Sequence, residues 1–152
     1  MTPEDNLIAS GYRLPSPAAP GGNYLSARTV GNLVYLAGVI SADASGIIIA
    51  APPGESPSLE SGYLAARACA LTQLAVLKQH LGSLAAVKSI VSVNGYVAAP
   101  AGFPDSPRII NGASDLLIEV FGDSGKHVRA AIAVASLPRN ALVELQMLVE
   151  IH

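Results

Sequence analysis

The sequence predicts an α+β chain in which helices cover one face of a sheet. Three observations carry that prediction. The stretch 142–151 alternates apolar and polar residues with period two, as a strand with one buried face does. Two segments open on a Ser-Pro pair, Ser56–Pro57 and Ser106–Pro107, and close at Gly82 and Gly122, the start and stop chemistry of helices. Of the 152 residues, 51% are hydrophobic and only 13% are charged. That is apolar material for one core, in a chain too short for two domains.

The elements follow in order. Residues 1–22 read as a lead-in, with LPSPAAPGG (14–22) extended over the surface because of its prolines and glycines. NLVYLAGVI (32–40) is continuously apolar, as a strand buried on both faces is. Asp43, Ala44, Ser45 and Gly46 supply turn chemistry, and Ile47–Ile49 return as a hairpin. The first helix runs from Ser56–Pro57 to Leu81, with Leu64, Ala68, Leu71, Leu74 and Ala75 as its apolar stripe. Arg67, Gln73 and Lys78 point elsewhere. VKSIVSVNGYVA (87–98) is a strand. The second helix buries Ile109, Ala113, Leu116, Leu117 and Val120. The order to this point is β, β, α, β, α.

Two strands remain, joined through a turn at Pro138 and Asn140. In the last, Val143, Leu145, Met147, Val149 and Ile151 form the core set. In the one before it, Val128, Ala130, Ile132 and Val134 do. Antiparallel pairing about the turn sets Ala131 near Glu144 or Gln146 and puts Arg129 and Glu144 on the same non-core face. Two readings stay open for that pair. One is a structural ion pair at a subunit interface. The other is an anion clamp beside a proton-handling acid, since a guanidinium grips a carboxylate bidentately. A carboxylate drawn into a drier seam can trade protons near neutrality.

The net charge of −2, with nine basic residues dispersed along the chain, offers nothing to a phosphate backbone, so no nucleic acid is expected as a partner. No apolar run approaches the ~18 residues of a membrane span. The acidic opening segment lacks the order of a signal peptide, and a cytoplasmic location is expected. So few charges point to further apolar surface covered in an oligomer. Cys69, the one cysteine, sits between alanines and reads as a packing residue. His80 reads as complementing the first helix's dipole, and His127 as structural or at a cleft edge. Asn111, Ser114 and Asp115 read as capping or solvent-facing, with Asn111 able to reach a neighbouring cleft. The histidines lack ligand spacing, so no metal is expected. No Gly-rich phosphate loop appears, and no cofactor is expected.

VRAAIAVASLPRNALVELQMLVEI (128–151) resembles the C-terminal signature of the YjgF/Rid family of reactive intermediate deaminases, also known as L-PSP endoribonucleases. Arg129, Leu137, Pro138, Val143 and Glu144 carry the likeness. Upstream, GGNYLSARTVGNLVYLAG (21–38) is similar to the family's Tyr segment and the strand that follows, through Tyr24, Gly31, Asn32 and Gly38. The resemblance implies a chorismate-mutase-like fold, β-β-α-β-α-β, with a mixed sheet, two helices on one face and homotrimers with clefts between subunits. It implies that Arg129 holds a substrate carboxylate, that Glu144 activates water and that Tyr24 lines the cleft. Gly38, Val39, Asn111 and the backbone of Ala131 are the further binding positions. Ala37-Gly38-Val39 replaces the family's Ser-Gly-Gln, removing two polar groups, and Ala131 stands where deaminases often carry Cys. The expected activity is hydrolysis of enamine or imine intermediates to 2-oxo acids and ammonia. The alternatives are a non-catalytic trimer that binds a small carboxylate and an endoribonuclease.

Overall fold

Six strands and three α-helices make up the computed structural model, which describes residues 1–17 and 19–152. The prediction of an extended 14–22 segment falls in part on Ala18, which lies outside the described residues. In chain order the elements are α1 (Pro3–Ala9), β1 (Ala27–Val30), β2 (Leu33–Leu36), β3 (Val39–Ile40), α2 (Leu59–Leu81), β4 (Val87–Ala98), α3 (Ser106–Phe121), β5 (Val128–Val134) and β6 (Val143–Ile151). The sheet order is β1-β2-β6-β4-β5, with β3 also paired to β6. All pairs are antiparallel except β4–β5. Two parallel neighbours need a crossover, and α3 supplies it. Helices α2 and α3 lie on the same face, α2 against β6 and α3 against β4 and β5. This is the α+β architecture expected from the sequence.

The lead-in is not wholly extended. Thr2 caps α1: its hydroxyl accepts from the Asp5 N–H, and the Asp5 carboxylate accepts from the Thr2 N–H in return. That reciprocal box, with Pro3 at the first position, starts a helix even in a chain terminus. The next helix begins two residues later than predicted, because Ser58 rather than Ser56 is the cap, its hydroxyl oxygen accepting from the Ser61 N–H. Its buried face is Ala65, Ala66, Cys69, Ala70, Gln73, Leu74 and Leu77, while Leu64 stays 43% exposed. A helix apolar nearly all round gives the stripe little contrast. Gly82 ends it at φ 86°. On α3 the expected stripe of Ile109, Ala113, Leu116, Leu117 and Val120 is buried. Burying each large member is worth about 1.5–3 kcal/mol.

The stretch 32–40 is not one doubly buried strand. It breaks at Ala37–Gly38 between β2 and β3, and Tyr35 on β2 is half exposed. The turn at Asp43 forms as expected, its side chain accepting from the Ser45 and Ile47 N–H groups.

The C-terminal hairpin does not exist. β4 lies between β5 and β6 and pairs with both. Ala131 stands opposite Gly95, not Glu144 or Gln146. The faces of β5 are also reversed. Val128 and Ile132 are 71% and 50% exposed, whereas Ala131 and Ala133 pack on the core. Helix α3 approaches too closely for large residues there: a Cβ on Gly95 would lie 2.6 Å from the Ile110 side chain. The β6 alternation stands, with Val143, Leu145, Met147 and Val149 buried.

The two helices also meet at close range. A Cβ on Gly112 of α3 would fall 2.0 Å from the Tyr63 carbonyl oxygen of α2, and one on Gly62 would strike Ile109. Beside this crossing, the Tyr63 hydroxyl donates to Asp115 over 2.7 Å. That bond to a carboxylate, aided by burial, pushes the Tyr63 phenol up to about 12.

Candidate functional site

Glu144 belongs to the polar set of β6 and faces away from the helices. Registers identify its neighbours across the sheet as Ile40, Tyr96 and, beyond Tyr96, Ile132. Its carboxylate lines a cavity of about 780 Å³ shared with Tyr24, Gly38, Val39, Thr72 and Arg139. Gly38 leaves the space open: a Cβ there would sit 2.8 Å from Glu144 Oε2. The Tyr24 hydroxyl accepts from the Gly21 N–H.

The break at Ala37–Gly38 is held from below. Buried Gln73 donates through Nε2 to the carbonyls of Ala37 (3.0 Å) and Leu145 (2.9 Å). It was expected to point away from the core. It instead ties the Ala37 carbonyl at the β2–β3 break to the Leu145 carbonyl of β6, and its own Oε1 stays buried without a partner. Gln73→Leu is expected to cost about 2 kcal/mol in urea titrations, because the loss of both bonds outweighs one relieved orphan.

Cys69 lies nearby, its thiol donating weakly to the carbonyls of Val39 and Val143. Burial pushes the thiol up, and the Glu144 charge adds to that. It is a packing group rather than a nucleophile.

Arg129 is elsewhere. Its register partner on β4 is Val93, a core residue, so its side chain projects to the helix face. There Nη1 donates to Ser114 Oγ and Nη2 to the Pro107 carbonyl, each over 3.0 Å. Met147 is the β6 residue level with Val93. Two strand spacings and three residues of rise therefore put Arg129 and Glu144 roughly 14 Å apart on opposite faces of the sheet. The expectation that they share one face is corrected by the insertion of β4 and the reversed faces of β5. Ala131 and exposed Asn111 are on the Arg129 side, outside the cavity.

Tyr24, Gly38, Val39 and Glu144 are thus one group; Arg129, Ala131 and Asn111 form another. The sequence reading missed Gln73, Thr72 and Arg139 at the first. Arg139 lies between the turn residues Pro138 and Asn140, the one signal its sequence position offers, and the structure turns it and Asn140 through φ 56° and 57°. At the second it missed the partnership of Ser114, whose hydroxyl is 2.8 Å from His127 Nε2. His80 also has a definite partner, Thr29. Among the described residues, no three His, Cys, Asp or Glu side chains group to hold a metal ion, and no helix is long and apolar enough to cross a membrane.

Comparison with known proteins adds the family. The model for YjgF/chorismate mutase-like, putative endoribonuclease proteins matches residues 4–151. The chain belongs to that family. It is 38% identical over 148 residues to protein TCP17 of Trypanosoma cruzi, covering 97% of this chain and 92% of that protein. The crystal structure of protein Atu1372 of Agrobacterium tumefaciens, described as of unknown function, is similar with a TM-score of 0.88. The two are 36% identical, over 99% of this chain and 92% of that one. A putative endoribonuclease of Shewanella oneidensis gives a TM-score of 0.91 at 31% identity, over 99% of this chain and all of the other. The YjgF-like fold therefore extends from α1 to β6.

Proposed function

We propose that this YjgF-family chain hydrolyses small 2-imino acids to 2-oxo acids and ammonia, in clefts between the protomers of a homotrimer. The observation that carries the reading is the Glu144 carboxylate facing a 780 Å³ cavity from a rigid strand. In the reaction, water oxygen bonds to the imine carbon while Glu144 takes the water proton. The C=N π pair moves to nitrogen, which takes that proton back from Glu144 to give a carbinolamine. The carbinolamine hydroxyl then gives its own proton through Glu144 to the nitrogen as C=O forms. The C–N bond breaks with its electron pair on nitrogen, and ammonia leaves. Arg129 supplies the grip on the substrate carboxylate.

Within one chain that grip is on the wrong face. A second protomer supplies it if the open face of the sheet is the interface. That face carries Tyr35, Leu148, Ser92 and Val128 in one cross-sheet row, with Ile40, Glu144, Tyr96 and Ile132 in another. Tyr35, Val128 and Ile132 are at least half exposed, and among the described residues no helix covers them. Exposed apolar side chains in rows around a carboxylate suit a subunit interface, which in a closed trimer pairs this face with a different patch of the next protomer.

An endoribonuclease would need clustered cations, and this chain carries nine basic residues against eleven acidic ones. The test supplies 2-iminobutanoate generated in situ and follows 2-oxobutanoate with lactate dehydrogenase. Accelerated 2-oxo acid release is expected. Binding of 2-oxobutanoate without acceleration would replace hydrolysis with the non-catalytic reading.

A further inference from the structure

We propose that Ser114 and His127 are positioning residues for Arg129, forming a one-way hydrogen-bond chain that leaves the guanidinium aimed outward as a carboxylate receptor. The proposal rests on the reading that Arg129 grips the substrate carboxylate.

The direction of each bond follows from what each atom can do. His127 Nδ1 lies 2.6 Å from the Gly125 carbonyl, which only accepts, so Nδ1 carries the proton. In the neutral ring Nε2 is then a lone pair. The Ser114 hydroxyl, 2.8 Å away, donates to it. The oxygen of Ser114 is left with lone pairs alone, and Arg129 Nη1 donates to it over 3.0 Å. A hydroxyl that gives its own proton away is a better acceptor. The same commitment makes Ser114 a support and not a nucleophile, as does its 8% exposure.

The base of the chain is rigid. Gly125 is buried, and a Cβ on it would meet the Leu117 carbonyl oxygen at 2.2 Å, so the turn carrying the Gly125 carbonyl is pressed against α3. Ser114 is on α3 itself. The exposed head of Arg129 therefore stands on two anchors fixed to one helix, with Pro107 at that helix's start as a third.

The partners are all neutral. Among the described residues the ion pairs are Lys88–Glu150 and Lys126–Asp123, and no carboxylate meets Arg129. It has no ion-pair partner among those residues. Two of the five guanidinium N–H groups are bound by the protein, and the other three exceed the two that a bidentate carboxylate takes. An arginine held by a hydroxyl and a carbonyl keeps both geometry and charge for an incoming anion.

The experiment measures 2-oxobutanoate affinity by calorimetry, and KM and kcat for 2-iminobutanoate, in the intact protein. Ser114→Ala and His127→Phe are expected to weaken binding and raise KM about tenfold, with kcat within about twofold. Ser114→Thr, which keeps the hydroxyl, restores affinity. Long-range ¹H–¹⁵N spectra show His127 protonated at Nδ1. Arg129→Ala is the reference. If it weakens binding while Ser114→Ala and His127→Phe do not, the positioning role is overturned and the hydrolase reading stands. If the loss falls on kcat instead of KM, the pair acts in proton transfer and the proposal is likewise overturned. If Arg129→Ala leaves affinity unchanged, Arg129 is no receptor and the proposal falls with it. Should Ser114→Ala fail to fold, His127→Phe and Ser114→Thr decide the matter on the same readouts.

Discussion

Glu144→Gln is expected to lower the rate of 2-imino acid hydrolysis by about 10²–10⁴-fold, the usual worth of a positioned general base. The amide has the size and shape of the carboxylate, and β6 is a central strand with paired neighbours on both sides, so the fold is kept. Binding of 2-oxobutanoate is expected to persist, because the carboxylate grip belongs to Arg129. Steady-state kinetics with the lactate dehydrogenase couple, alongside calorimetry, separates the two. A variant that binds and turns over like the wild type would remove Glu144 from the chemistry.

The second large effect is on stability. Gly112→Ala places a methyl group 2.0 Å from the Tyr63 carbonyl oxygen. Alanine favours helix over glycine by about 1 kcal/mol, and that gain is real in the middle of α3. It loses to the clash. The obstacle is backbone of α2, so no rotamer change relieves it, and the helices must part along their crossing. Overpacking of this kind costs typically 1–3 kcal/mol and more where backbone must move. We expect a net loss of about 3 kcal/mol, or a melting temperature lower by roughly 6–12 °C in a chain of this size. Calorimetry checks it. Because α3 carries Asn111 and Ser114, a partly folded Gly112→Ala protein should also bind 2-oxobutanoate less well.

Much of this fold can be read from the residues. The alternation of β6 and the stripe and glycine stop of α3 are strong local patterns, and the structure follows them. The errors arise where the deciding fact is not local. Two successive strands joined by a short turn usually pair, and nothing in 128–151 reveals that β4 takes the place between them. In β5 the larger apolar residues face outward and the alanines face α3, which reverses the ordinary inference from size to burial. Gln73 is polar and buried because it ties the strand break at Ala37 to the Leu145 carbonyl of β6, and that break is itself a tertiary event. The cavity side of the site, Tyr24, Gly38, Val39 and Glu144, was legible through family resemblance. The placement of Arg129 was not, since it depends on which face of an edge strand meets a helix. The partnership of Ser114 and His127, thirteen residues apart, depends on the same turn from α3 into β5.

The proposed cleft draws Arg129 and Glu144 from different protomers, and subunit mixing tests that most directly. Arg129→Ala and Glu144→Gln chains are unfolded together, refolded as a 1:1 mixture and shown to have mixed by native mass spectrometry. If each cleft takes its arginine from one chain and its glutamate from another, about a quarter of the clefts recover both groups, and activity rises to about a quarter of the wild-type rate. Mixed trimers no more active than either variant alone, or a wild-type protein that sediments as a monomer, would contradict the shared cleft.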